Sequence, residues 1–161
     1  MRVGLLDADL CWGNHANGRR YGKTKADIFP NLVLMKLSAY HKQRGDDVSL
    51  YMSFEQYDRV YISKVFSTTP IDRQVIFANE IYFGGSGFCI ELVDGKEVYR
   101  HPEYKPFTGH LMYHTEAGIR TDPTRSGQKY IYTENLPYEI EHMTPDYSLY
   151  PTINDTAYGF L

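Results

Sequence analysis

Two acidic residues follow the first predicted strand of the chain, where a functional site is expected. The apolar run Val3–Leu6 is typical of a buried parallel strand, and Asp7 and Asp9 come directly after it. With the nearby Asn14 and His15, these carboxylates could coordinate a metal ion or serve acid–base catalysis. Their spacing fits no specific ligand pattern, so a polar loop whose aspartates cap turns is the preferred interpretation.

A glycine-rich turn, Gly84-Gly85-Ser86-Gly87, follows another predicted strand at Ile81–Phe83. Its exposed backbone amides could cradle an anion or let a ligand approach the chain closely. It matches neither the dinucleotide fingerprint nor a phosphate-binding loop, so a tight connection is preferred over a ligand site. The candidate ligand-binding residues are therefore Asp7, Asp9, Gly84, Gly85, Ser86 and Gly87, and we predict no catalytic or metal-ligating residue.

Three histidines, His101, His110 and His114, share one later segment of the chain. The last two are four residues apart, which is a helical ligand spacing, but Gly109 and Gly118 disfavour a helix there. Solvent-exposed histidines are therefore preferred over a zinc site. A small metal-dependent enzyme that uses these histidines with the acidic residues after the first strand is one alternative function.

Composition limits the classes of function. The 161 residues fit one domain, and 42% hydrophobic with 23% charged residues is typical of globular proteins. A net charge of −3 gives no electrostatic reason to expect nucleic-acid binding. Cys11 and Cys89 are too few for a metal-cluster framework, and no apolar run has the length of a signal peptide or membrane span. We expect a cytoplasmic protein with reduced thiols and without membrane contact.

The pattern of elements predicts an α/β fold with a Rossmann-like or flavodoxin-like, mainly parallel sheet. Pro30 and Asn31 introduce a helix with an apolar stripe that ends before Gly45. The predicted elements that follow are strands at Val48–Met52 and Arg59–Phe66, a short helix at Ile71–Glu80, and the strand at Ile81–Phe83. This order fits right-handed crossover connections between parallel strands with flanking helices.

The region after the glycine turn is predicted to differ from the rest. Asp94-Gly95 between two β-rich runs, Phe88–Val93 and Lys96–Arg100, is the signature of a β-hairpin. Further extended pieces at His110–His114 and Lys129–Thr133 complete a β-rich insertion at about 90–134 within a domain of residues 1–150. A short helix at Leu136–Met143 and an extended lead-out at Pro145–Tyr150 follow.

Five segments of the chain carry a resemblance to a known family and read FPNLVLMKLSAYHKQRGDDVSLY, DRVYISKVFSTTP, EIYFGGSGF, LPYEIEHMTPDYSLYP and AYGFL. Together they resemble the amino-terminal region of a family of bacterial and phage radical S-adenosylmethionine proteins. The resemblance covers residues 1–9, 29–88 and 136–161. It implies a flavodoxin-like, cobalamin-binding-like domain that leads into a partial barrel, whose cysteine motif holds a four-iron, four-sulfur cluster.

By this resemblance, residues 151–161 lead into a missing barrel, and Ala157–Leu161 is similar to its first strand. The chain is then a non-catalytic accessory domain of an iron–sulfur enzyme. The cluster and S-adenosylmethionine are implied only for a full-length relative, because Cys11 and Cys89 match no cluster position. In the Asp-x-His-x-x-Gly cobalamin motif, Cys11 stands in place of the histidine. The implied partner is a radical S-adenosylmethionine barrel in cis or in trans, with self-association if the barrel is absent, and no corrinoid is expected. Whether this chain is itself an enzyme stays open, and a stand-alone nucleotide- or anion-binding module at Gly84–Gly87 is the other alternative.

Overall fold

The main sheet of the protein is mostly parallel. The computed structural model describes residues 1–11, 30–69, 76–99, 119–121, 129–132 and 135–150. Its strands, in chain order, are β1 (Arg2–Asp7), β2 (Asp47–Leu50), β3 (Tyr57–Ser63), β4 (Ala78–Gly84), β5 (Ile90–Val93), β6 (Lys96–Tyr99), β7 (Ile119–Thr121) and β8 (Lys129–Tyr132). Within this described part, the main sheet has the order β2-β1-β3-β4-β8-β7, in which only the edge strand β7 runs antiparallel to its neighbour.

The five parallel strands, counted along the chain, have the order 2-1-3-4-5 of the flavodoxin-like folds. The predicted α/β class is therefore confirmed. The strands β7 and β8 come from the stretch that was predicted to be an insertion, yet they extend the main sheet, because β8 pairs with β4 in parallel. The strands β5 and β6 form a separate antiparallel hairpin.

The helices lie outside the sheet as α1 (Ala8–Cys11), α2 (Leu32–Gln43) and α3 (Tyr138–Glu141). Asn31 begins α2 by accepting a hydrogen bond at 3.2 Å from the backbone N–H of Leu34, which satisfies a donor of the first turn. Gly45, at φ 81°, ends the helix in the left-handed conformation that glycine adopts without strain. The predicted helix is thus confirmed with both of its end signals. None of the described helices is long and apolar enough to cross a membrane.

Two apolar clusters pack on opposite faces of the sheet, because side chains alternate along each strand. One face carries Leu6, Val60, Ile62, Ile81 and Phe83, which pack with Phe88 and Ile76. The other face packs against the helices through Val3, Leu5, Leu34, Met35, Leu37, Ile140, Leu149 and Tyr150. The α2 helix and the segment that contains α3 therefore cover the same face.

The hairpin has the backbone geometry that its sequence predicts. Asp94 and Gly95 both have positive φ, 50° and 76°, as a two-residue turn between antiparallel strands requires. The register pairs Val93 with Lys96, so only these two residues connect the strands. The predicted β-hairpin is confirmed.

Some predicted boundaries and elements are wrong. Ala78–Glu80 belongs to β4 and not to a helix, because Ala78 pairs with Tyr57 of β3, and residues 71–75 lie outside the described residues. The strand predicted to reach Phe66 ends at Ser63. The predicted extended lead-out contains a 3-10 helix at Tyr147–Leu149.

Candidate functional site

The carboxyl edge of the parallel sheet is where this fold class binds ligands, at the point where the strand order reverses. That point lies between β1 and β3, and Asp7 and Ser63 are register partners there. Both side chains are buried. The amide of Asn31 donates a hydrogen bond to the hydroxyl of Ser63 at 2.8 Å, so the start of α2 is anchored at this edge.

Asp7 is buried and bonded within the domain. One carboxylate oxygen accepts from the hydroxyl of Tyr150 at 3.2 Å, and the other accepts from the backbone N–H of Leu10 at 3.1 Å. Buried carboxylates need such partners, because leaving one unpaired is costly. These contacts give Asp7 a structural role in fixing the end of β1.

Asp9 braces the segment that leaves β3. Its carboxylate accepts hydrogen bonds from the backbone N–H of Val65 at 2.6 Å and of Phe66 at 3.3 Å. It also accepts from the hydroxyl of Thr69 at 2.5 Å. Asp9 lies in α1 and not in a polar loop, and its partners are distant in the sequence.

The glycine turn packs against the same segment. Gly85 has φ 106°, and a Cβ there would lie 2.2 Å from the carbonyl oxygen of Lys64. A Cβ on Gly87 would lie 2.7 Å from the carbonyl oxygen of Phe66. The two glycines therefore allow the turn and the segment after β3 to approach at backbone distance.

The amides of the glycine turn are largely used within the domain. The N–H of Gly87 donates to the carbonyl of Lys64 at 3.0 Å, and the hydroxyl of Ser86 donates to the carbonyl of Val65 at 3.0 Å. Ser86–Phe88 forms a 3-10 helix, so the second half of the glycine turn is regular structure. Gly84, the last residue of β4, accepts from the N–H of Lys64. These bonds favour the tight connection over an anion cradle, and a ligand role for these residues stays a prediction.

The structure does not extend to every residue considered above. Asn14, His15 and the three histidines of the predicted insertion lie outside the described residues, as does Ala157–Leu161. Within the part of the chain that is described, no group of three or more histidine, cysteine, aspartate or glutamate residues could hold a metal ion. Cys89 is buried, in agreement with a packing role.

A cavity of about 400 Å³ lies on the helical face of the sheet. Its floor is the outward face of β3 and β4, its sides are α2 and the segment 135–141, and it reaches the carboxyl edge at Gly84 and Gly85. Ligand pockets span roughly 300–1,000 Å³, so the volume suits a small molecule. The lining of this cavity combines Gly84 and Gly85 of the glycine turn with Arg59, Tyr61 and Tyr82, which we did not predict as site residues.

Hydrogen bonds connect the polar side chains of the cavity floor, Arg59 and Tyr61, with Glu80, His41 and Asp46 beside it. The guanidinium of Arg59 donates to the Glu80 carboxylate from Nε at 2.9 Å and from Nη2 at 2.6 Å, and from Nη1 to the Tyr61 hydroxyl at 3.2 Å. Nε2 of His41 lies 3.0 Å from that hydroxyl, and Nδ1 lies 2.7 Å from the Asp46 carboxylate. An ionised carboxylate only accepts, so Nδ1 of His41 carries the proton and Nε2 accepts from Tyr61.

Burial and these bonds shift the ionisation of the network. Burial lowers the pKa of His41 despite the opposing effect of Asp46, so the imidazole is neutral at pH 7. The hydrogen bond from His41 lowers the pKa of Asp46, which stays ionised. Burial raises the pKa of Tyr61, and the phenol remains protonated. Burial works against the charge of Arg59, but the bonds to Tyr61 and Glu80 outweigh it and raise the pKa.

The sequence contained a signal for this floor that we did not use. In the run RVYIS, alternation places Arg59, Tyr61 and Ser63 on one face of the strand, and Tyr82 lies on the same face of β4 opposite Tyr61. A charged residue and tyrosines inside strands of a sheet that helices cover point to a polar pocket on that face. The chain contains fifteen tyrosines, and two of them, Tyr61 and Tyr82, form part of this floor.

The fold and these contacts define an α/β protein with flavodoxin-like strand order, a braced carboxyl edge and a cavity under α2. Comparison with known proteins adds no relative, because no family model, curated protein or solved structure matches this chain.

Proposed function

We propose that this chain is a non-catalytic accessory domain of a radical S-adenosylmethionine iron–sulfur enzyme. The observation that carries the proposal is the strand order β2-β1-β3-β4-β8, which is the flavodoxin-like order that the sequence resemblance implies for this region. Fold alone does not define function, so the proposal rests on the fold and the resembling segments together.

The chemistry of the cluster belongs, in this proposal, to a barrel in cis or in trans. A four-iron, four-sulfur cluster is held by cysteine thiolates. When one iron is left open for S-adenosylmethionine, the protein still has to supply three thiolates. The chain contains two cysteines, of which Cys89 is buried. These residues do not fit the cluster, and no step of the radical reaction is assigned to them.

The braced carboxyl edge supports a scaffold role. Asp9 and Gly85 hold the segment after β3 from two sides, which fixes the backbone that carries Val65 and Phe66. These two apolar side chains are 48% and 64% exposed. Exposed apolar residues on a rigid backbone suit packing against another domain, and we assign this surface, Val65 and Phe66, to the barrel.

Hydrogen exchange tests the assigned contact. We compare residues 1–161 with the barrel present, in cis or as the copurified partner, and residues 1–161 alone, and expect slower exchange of the amides of residues 65–68 when the barrel is present. The amides of β6 are the internal control and should exchange equally in both. Equal exchange of residues 65–68 in the two samples would contradict the assigned packing.

A matched pair of substitutions tests whether the contact matters for activity. In the complete product, Phe66→Ser should lower the rate of S-adenosylmethionine cleavage while the iron content stays unchanged. Phe54→Ser is the control, because Phe54 is 87% exposed but lies beside Glu55, which contacts Arg2 at the opposite edge of the sheet. Equal rates for both variants would contradict the assignment of the surface formed by Val65 and Phe66 to the contact with the barrel.

A further inference from the structure

The cavity under α2 is a slot whose sheet side differs from its other sides. The sheet side is aromatic: the rings of Tyr61 and Tyr82 lie 4.9 Å apart at 32°, and the guanidinium of Arg59 lies 4.7 Å from the ring centre of Tyr82. The sides formed by α2 and by the segment 135–141 are mostly apolar and include Leu37 and Leu136. A flat aromatic ring gains from such a slot, because it stacks on one wall and buries its other face against apolar side chains.

The aromatic wall is fixed before any ligand enters. Tyr61 is held between His41 and Arg59 by hydrogen bonds, and Arg59 is held by two bonds to Glu80. Side chains that are already ordered lose little conformational entropy on binding. The hydroxyl of Tyr82 lies 3.5 Å from the Glu80 carboxylate, so this ring is also oriented, with acceptor capacity left on its oxygen.

The charges around the slot do not favour an anion. Among the described residues that line the slot, the cation is Arg59, and Glu80 neutralises it. Glu139 and Glu141 also belong to the lining, and Lys36 forms an ion pair with Glu141. The described lining therefore offers a phosphate group no surplus positive charge, whereas a neutral ring needs none.

We propose that this slot binds a neutral, planar heteroaromatic molecule of nucleoside size. The volume of about 400 Å³ is near the lower end for ligand pockets, which fits a mono- or bicyclic ring with a small substituent. The aromatic wall supplies stacking, the hydroxyl of Tyr82 supplies a polar contact, and Gly84 and Gly85 line the slot at the carboxyl edge. The site requires only the cavity and is independent of the accessory role.

Isothermal titration of the 161-residue chain with adenosine, guanosine, cytidine and uridine tests the proposal. We expect saturable one-to-one binding of at least one purine nucleoside, and at least about fivefold weaker binding of its 5′-monophosphate. Replacing the aromatic wall by Tyr82→Leu should weaken nucleoside binding about tenfold or more, because stacking on an aromatic side chain is lost. The matched control Tyr99→Leu, on the exposed strand β6, should change the affinity less than about twofold.

Chemical-shift mapping on the unmodified chain keeps the test independent of variant folding. The amides of residues 82–85 and 136–141 should shift on titration with the nucleoside, and those of the β5–β6 hairpin should not. The proposal is overturned if none of the four nucleosides binds at about 5 mM. It is equally overturned if the shifts fall elsewhere, if the monophosphate binds more tightly, or if a folded Tyr82→Leu variant binds as well as the unmodified chain.

Discussion

Replacement of Gly85 by alanine tests whether the glycine turn is a structural connection. At φ 106° and ψ 152°, Gly85 occupies a region that is almost confined to glycine, and a non-glycine residue there costs about 1–3 kcal/mol. The new Cβ would also lie 2.2 Å from the carbonyl oxygen of Lys64. Both atoms belong to the backbone or are attached to it directly, so no side-chain rotation relieves the clash.

The clash should separate the turn from the segment after β3. Two hydrogen bonds of 3.0 Å join them, from the N–H of Lys64 to Gly84 and from the N–H of Gly87 to Lys64. Each contributes about 1 kcal/mol. Together with the backbone strain, we expect Gly85→Ala to lower the free energy of unfolding by about 3–5 kcal/mol.

Urea unfolding, followed by circular dichroism and by tyrosine fluorescence, measures the change. Gly45→Ala is the matched control, because Gly45 also has positive φ, 81°, but a Cβ there would meet no atom within 4 Å. That variant should lose only about 1–2 kcal/mol. Suppose that the two substitutions lower the free energy of unfolding equally, within about 0.5 kcal/mol. The steric clash at Gly85 would then make no contribution to stability, and the structural explanation of the turn would be refuted.

Two further predictions concern carboxylates that accept several hydrogen bonds. Asp9→Ala removes the acceptor of three hydrogen bonds and should lower the free energy of unfolding by about 2 kcal/mol, and a loss below about 0.5 kcal/mol in urea would contradict its bracing role. Burial tends to raise the pKa of Asp146, but hydrogen bonds from Lys42, Ser148 and Ser38 outweigh it and lower the pKa to about 2. Because the folded pKa is depressed, this stabilisation, at most about 2 kcal/mol, is present above about pH 4 and is lost as the pH falls towards 2. Asp146→Asn should therefore reduce the pH dependence of the free energy of unfolding between these pH values. An unchanged pH dependence would show that the hydrogen bonds do not favour the ionised carboxylate.

Local signals in the sequence were sufficient where local chemistry determines the structure. Asn31 and Gly45 mark the two ends of α2 because capping and positive φ are properties of single residues. Asp94-Gly95 identifies the hairpin for the same reason. The α/β class followed from the order of these elements.

Long-range pairing explains what the sequence did not reveal. Ala78 lies in a strand because β3 offers it a partner at Tyr57, and local propensity contains no information on that partner. Alternation places Arg59 and Tyr61 on one face of β3, but it does not say which face meets α2, so the contact of His41 with Tyr61 could not be derived from the sequence. The aspartates were located correctly at the strand end, but their hydrogen-bond partners come from the segment after β3 and from Tyr150.

The most direct test of the accessory role is to measure iron, sulfide and 5′-deoxyadenosine formation after anaerobic purification. The protein expressed from the complete coding sequence, or its complex with a barrel protein that copurifies with it, should contain about four irons and sulfides and should cleave S-adenosylmethionine reductively. The 161-residue chain by itself should do neither. A complete product that holds no cluster and copurifies with no cluster-containing partner would contradict the account, as would turnover of S-adenosylmethionine by the 161-residue chain alone.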